Sequence, residues 1–127
     1  MRLDWKLVAA VAIGGAVGSV ARFVVSSLIG ARLTTPFPVA TLLINIVGSF
    51  ILGALMQLSL TSPAMTPELR LLLTAGFCGG FTTFSSFSYE TVALVENGKI
   101  ASAGLYVGLS VAVSLVAVFL GTRVVPR

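Results

Sequence analysis

Residues 76–88 read GFCGGFTTFSSFS and lie inside an apolar run from Leu69 to Val95 that is long enough to cross a bilayer. Three glycines, two threonines and three serines in thirteen residues loosen a helix in water. In hydrocarbon every freed backbone group costs several kcal/mol, so an interruption here must be buried in protein or line a polar cavity. The expectation is a third span broken at mid-membrane, with the chain unwinding at Gly79 and Gly80 and the glycines intolerant of added bulk. Phe81, Phe84 and Phe87 recur every third residue, which predicts a phenylalanine stripe. Thr82, Ser85 and Ser88 repeat the spacing on a neighbouring face.

Composition confines the rest. Of 127 residues, 57% are hydrophobic and 9% charged, and the mean hydropathy is +1.07. Soluble domains carry about 25% charged residues, so the sequence describes an integral membrane protein. There is no histidine and one cysteine, Cys78, which excludes an intrachain disulfide and a His/Cys metal site. Of the four acidic residues, Asp4, Glu68 and Glu96 fall near segment ends, which leaves no carboxylate pair for acid–base catalysis within the membrane. The chain is therefore not read as an enzyme. The net charge of +4 is placed at chain ends and between apolar runs, a pattern suited to anionic lipid headgroups and not to nucleic acid.

Four spans are expected, at about 7–29, 39–60, 69–95 and 100–122, forming one all-α membrane domain over residues 1–127. A signal peptide is the competing reading of the first, since Arg2 and Lys6 precede an apolar run, but the apolar character continues past any cleavage point. Gly14, Gly15, Gly18 and Ser19 offer a close-packing face in the first span, and Gly104 and Gly108 one in the fourth. Thr66, Pro67 and Glu68 read as N-cap, first-turn proline and first-turn acid of the third span's helix. Glu96 to Lys99 form the shortest connection, making spans three and four antiparallel neighbours.

Polar residues inside the spans are the functional candidates. Arg22 either snorkels to the interface or stands as a cation at the mouth of an anion path. Thr41, Asn45, Gly48 and Ser49 form a small and polar stripe on the second span, in which Asn45 serves either an interhelical hydrogen bond or a pore. Ser102, Tyr106, Ser110 and Ser114 follow one another at i+4 along the fourth, a continuous hydroxyl track unless each serine only bonds its own helix. Arg2, Lys6, Arg70, Arg123 and Arg127 lie on the side of the termini, against Arg32 and Lys99 on the other, or against three if Arg22 is counted with them, which favours cytoplasmic termini. Four short helices enclose little volume, so a transport path calls for an oligomer.

GFCGGFTTFSSFS, TLLINIVGSF at 41–50 and GGAVGSVAR at 14–22 together resemble the Fluc (CrcB) fluoride channels, over all four spans in order and spacing. The resemblance implies passive fluoride export through an antiparallel, dual-topology homodimer in the inner membrane, with two pores and a structural sodium ion at the subunit interface. It implies backbone carbonyls of Gly79 and Thr82 as sodium ligands, and ring edges of Phe84 and Phe87 as fluoride contacts. Asn45 would face the pore, Thr41, Tyr106, Ser110 and Ser114 would form its polar track, Ser86 would line the break, and Arg22 would sit in a cationic vestibule. Ser85-Ser86 stands where Ser-Thr is commoner in the family, and the unequal basic charge is unusual for dual insertion.

Such a pore is chemically coherent, since amide and hydroxyl hydrogens replace fluoride's water shell and aromatic edges carry the positive end of the ring quadrupole. A small multidrug-type proton antiporter shares the four-span plan but needs a proton-cycling carboxylate in its first span, which 7–29 lacks, Glu90 being the only candidate elsewhere. A structural subunit of a membrane complex would explain the small-residue faces and leave the polar stripes and phenylalanines without a purpose.

Overall fold

The computed structural model describes residues 2–127, and the described residues hold helices and no strand. Helix α1 spans Trp5–Arg32, α2 Val39–Thr61 and α6 Ile100–Val124. These three, of 28, 23 and 25 residues, are long and apolar enough to cross a membrane. Between α2 and α6 the chain runs through α3 (Pro67–Leu71), a π-helical segment (Leu72–Cys78), α4 (Gly79–Phe81) and α5 (Phe84–Glu96).

The helix ends follow from local chemistry. Asp4 caps α1 by accepting from the Lys6 N–H at 2.9 Å. Thr66 caps α3 by accepting from the Leu69 N–H at 3.2 Å, with Pro67 and Glu68 in the first turn as the sequence predicts. At the other end of the interrupted stretch, Asn97 closes α5 and Gly98 turns the chain at φ 75°, a left-handed conformation that glycine adopts without strain. Only three residues separate α5 from α6.

Two helix pairings build the fold. Along one side α6 packs on α2 through Ala103, Tyr106, Ser110, Ala117 and Gly121, a heptad-like succession of buried positions. Along the other α1 packs on the π-helical segment and α4. There the backbones nearly touch: a Cβ on Gly80 would lie 2.5 Å from the Gly15 carbonyl oxygen, and one on Gly14 would collide with the Leu72 carbonyl. The predicted small-residue face of α1 is thus occupied. That of α6 is not, since Gly104 and Gly108 have no atom within 4 Å of where a Cβ would stand. They point away from α2, and Gly121, against Phe50, makes the close contact in their place.

The break falls later than the sequence suggests. Gly79 and Gly80 are helical, and Thr82 (φ −81°, ψ 157°) and Thr83 (φ −151°, ψ 116°) are the extended residues. Glycine at 80 admits the backbone of α1, and the bend is set two residues on, where Thr83 caps α5 by accepting from the Ser86 N–H at 3.1 Å. The expected bulk sensitivity of Gly79 is also absent within the chain, its Cβ position meeting only the Thr74 carbonyl oxygen at 3.9 Å.

Two extended residues reset the helical register, so the predicted stripes divide. Phe81 is buried and stacks on Phe77 at 5.7 Å, whereas Phe84 pairs with Phe87 at 5.5 Å beyond the break. Thr82 is likewise separated from Ser85 and Ser88, and its hydroxyl turns back to the Cys78 carbonyl at 2.8 Å.

Candidate functional site: a polar seam at the helix break

Asn45 projects from α2 onto the break and pairs with the Thr83 backbone in both directions. Its Nδ2 donates to the Thr83 carbonyl at 3.1 Å and its Oδ1 accepts from the Thr83 N–H at 2.8 Å. From α1, the Arg22 Nε donates to the Gly80 carbonyl at 3.0 Å. A continuous α-helix would send the Thr83 N–H to the Gly79 carbonyl and the Ser86 N–H to that of Thr82. Both donors are engaged elsewhere, by Asn45 and by the Thr83 hydroxyl. The carbonyl oxygens of Gly79 and Thr82 are thereby released from the ladder.

Beside this corner lies a cavity of 270 Å³ whose lining includes Asn45, Thr82, Phe84, Phe87, Ser110 and Ser114. Ser110 is buried, and its hydroxyl oxygen is the one buried side-chain polar atom among the described residues with no hydrogen-bond partner. A hydroxyl in this state costs about 1–3 kcal/mol unless something enters to bond it. Phe87 leans on the Tyr106 ring at 5.2 Å, while Phe84 is 80% exposed.

The seam continues to a carboxyl group that sequence reasoning considered only as an antiporter's proton carrier. Glu90 on α5 accepts from the Thr41 hydroxyl at 2.7 Å through Oε1 and from the Tyr106 hydroxyl at 3.0 Å through Oε2. Thr41 is buried and Tyr106 fully so, which joins α2, α5 and α6 through one residue. Glu90 also lines two further cavities. One, of 280 Å³, contains Arg22, Thr41, Thr83 and Ser86; the other, of 440 Å³, contains Tyr89, Asn97 and Lys99. A lone carboxylate inside an apolar run is the signal that marks Glu90 in the sequence, since such a group is too costly there without a purpose.

The predicted residues therefore converge unevenly. Asn45, Phe84, Phe87, Ser110 and Ser114 share one cavity, and Arg22, Thr41 and Ser86 share another, with Thr41 and Tyr106 tied to Glu90 between them. Gly79 and Thr82 stand at the break, and Ser102 enters none of the three cavities.

An apolar helical bundle with three helices long enough to cross a bilayer, and an interrupted stretch between them, marks a multi-pass membrane protein. More narrowly, residues 9–122 match the sequence model of the family described as CrcB-like protein, Camphor Resistance (CrcB), and the chain belongs to that family. It is 50% identical over 115 residues to a protein of Anaeromyxobacter sp. (strain K) named fluoride-specific ion channel FluC, an alignment covering 91% of each chain. A protein of the same name from Geobacter sulfurreducens is 48% identical over 88% of this chain and 90% of its own. One from Chlorobaculum tepidum is 47% identical over 92% of each.

Proposed function

We infer that this protein is a fluoride-selective channel that lets fluoride leave the cell passively and so lowers its cytoplasmic concentration. The observation that carries this reading is the unpartnered Ser110 hydroxyl, held in a cavity with the Phe84 and Phe87 rings, Asn45 and Ser114. Hydroxyl hydrogens and ring edges are donors of modest strength, which suits an ion that must shed water and still be released. Membership in a family whose relatives are named fluoride channels supports the choice of ion. Arg22, lining the adjoining cavity, would raise the local anion concentration. Thr41, Ser86 and Tyr106 would extend the track past Glu90. The Glu90 carboxyl is already committed to two hydroxyls, so nothing favours a proton antiporter.

The working unit is proposed to be an antiparallel, dual-topology homodimer in the inner membrane, each subunit crossing four times with 67–96 as the interrupted third span. The 80% exposure of Phe84 and the open Gly104–Gly108 face support burial against a second copy. Two pores would then lie on either side of the subunit interface. The released carbonyls of Gly79 and Thr82 are neutral, hard oxygen donors that fit a sodium ion, two from each subunit. Bound there, the ion would neutralise carbonyl dipoles that hydrocarbon cannot satisfy.

Growth in fluoride tests the reading in cells. A bacterium stripped of its own fluoride exporters should regain resistance when it makes this protein, and regain less of it with Ser110→Ala expressed at an equal level. Absence of rescue by the unaltered protein, correctly inserted, would contradict the assignment.

A further inference from the structure

Asn45 lines the cavity, and both polar atoms of its amide already have a partner, with one Nδ2 hydrogen to spare. Both polar atoms face the Thr83 peptide, Nδ2 to the carbonyl and Oδ1 to the N–H, as a neighbouring strand would in a sheet. Thr83 in turn caps α5 through its hydroxyl, which accepts from the Ser86 N–H at 3.1 Å and donates to the Ser86 hydroxyl at 3.1 Å. The helix so begun carries Phe84, Ser86, Phe87 and Glu90. A rotation of its first turn would swing all four, because side chains on one helix move together.

We propose that Asn45 is a positioning residue, whose two-way pairing with the Thr83 peptide fixes where α5 begins and hence where Phe84, Phe87 and Ser86 stand. The proposal rests on the channel reading for its functional consequence and on geometry alone for the latch. It also accounts for the choice of side chain. Only an amide presents an acceptor and a donor side by side; aspartate offers two acceptors, serine is too short to reach both atoms, and glutamine is a methylene too long. By taking the Thr83 N–H, Asn45 also frees the Gly79 carbonyl, so one side chain fixes the α5 register and opens the break.

Arg22 completes the clamp from the opposite side. Its Nε bond to the Gly80 carbonyl holds the end of α4, and Asn45 holds the residue that precedes α5. Helix α1 thus anchors one lip of the break and α2 the other, with Thr82 spanning them.

The test combines amide hydrogen exchange with transport, in purified protein reconstituted into bilayers. In the unaltered protein, read without fluoride, the Thr83 amide should exchange at least about tenfold more slowly than those of Phe84 and Ser85, which open α5 ahead of its hydrogen-bond ladder. Asn45→Ala and Asn45→Ser should erase that protection and lower maximal fluoride flux by about tenfold or more, while the half-saturating fluoride concentration stays within about twofold. Serine keeps a hydroxyl donor for an anion, so its failure would separate positioning from ligation. Rapid Thr83 exchange in the unaltered protein would refute the latch without recourse to any variant. Lost protection with full flux would refute its consequence, and a raised half-saturation at unchanged maximal flux would make Asn45 an ion ligand. If the unaltered protein carried no fluoride while Thr83 remained protected, the channel reading would fall and the latch would stand.

Discussion

The Tyr106 hydroxyl donates to Glu90 Oε2 across 3.0 Å, and with Thr41 on Oε1 it leaves neither carboxyl oxygen without a donor. Tyr106 is fully buried and packs edge-on against Phe37 at 5.6 Å, so its bond closes the α5–α6 hairpin while the Thr41 bond ties that hairpin to the start of α2. Tyr106→Phe keeps the ring and strips one donor from a carboxyl group inside the membrane. It should lower resistance to denaturant by about 1–3 kcal/mol. Unfolding in mixed micelles measures this, and an unchanged transition would show that the bond adds nothing to stability.

Ser110 offers the opposite signature. Its hydroxyl has no partner within the chain, so Ser110→Ala removes an unsatisfied group and should leave stability unchanged or slightly raised. Flux should nevertheless fall by about tenfold, the equivalent of one hydrogen bond of about 1.4 kcal/mol withheld from the ion. The same reconstituted samples supply both quantities, and a parallel loss of stability and flux would place Ser110 in packing alone.

Much of this was legible in the sequence, and the parts that were not share a cause. Apolar run lengths foretold α1, α2 and α6, and Thr66-Pro67-Glu68 marked the start of α3. The interruption in 76–88 was visible as composition, but its position depends on partners far along the chain. Glycine spacing pointed to Gly79 and Gly80, whereas Gly15 occupies the space beside Gly80 and Asn45 extends Thr83. Periodicity failed for the Phe81, Phe84 and Phe87 series because it assumes an unbroken helix, and Thr82 and Thr83 reset the register. The structural role of Glu90 was not legible because it lies in pairing with Thr41 and Tyr106, at separations of 49 and 16 residues.

The two glycines at the break should respond differently to added bulk. Gly80→Ala places a methyl group 2.5 Å from the Gly15 carbonyl oxygen, against backbone that has no rotamer with which to yield. That variant should lose about 2 kcal/mol or more and assemble poorly. Gly79→Ala meets only ordinary contact within the chain, so a loss of assembly in this variant would point to the facing copy of the proposed dimer. Size-exclusion profiles of the two, with thermal unfolding, decide the order; equal tolerance would contradict the close packing of α1 on α4.

Phe84 and Phe87 separate ring chemistry from packing. Phe84 is 80% exposed within the subunit, so Phe84→Ile should alter the stability of the single chain by less than about 1 kcal/mol, while Phe87→Ile gives up the Tyr106 ring at 5.2 Å and should cost about 1–3 kcal/mol. Both should reduce flux, because isoleucine has bulk without a polarised edge. If flux followed stability across the pair, packing would be the sufficient explanation.

Sodium should stabilise the assembled dimer, because only there do the Gly79 and Thr82 carbonyls of two subunits converge in the proposed arrangement. Binding to the assembled state alone raises stability by about 1.4 kcal/mol for each tenfold of sodium above its dissociation constant. Dimer dissociation in detergent, compared in sodium and in N-methylglucamine at equal ionic strength, measures it. Identical dissociation after exhaustive sodium removal would eliminate the ion and leave the anion path untouched.

Ion efflux from liposomes bears on the central claim most directly. Purified protein reconstituted at low density, with fluoride or chloride inside and a potassium ionophore to collapse the voltage, is followed with ion-selective electrodes. The expected result is rapid fluoride release that slows by about tenfold when Ser110 is replaced by alanine, with chloride retained for the whole measurement. Release of both anions at similar rates would contradict a fluoride-selective pore, and retention of fluoride by vesicles holding folded protein would contradict a channel altogether.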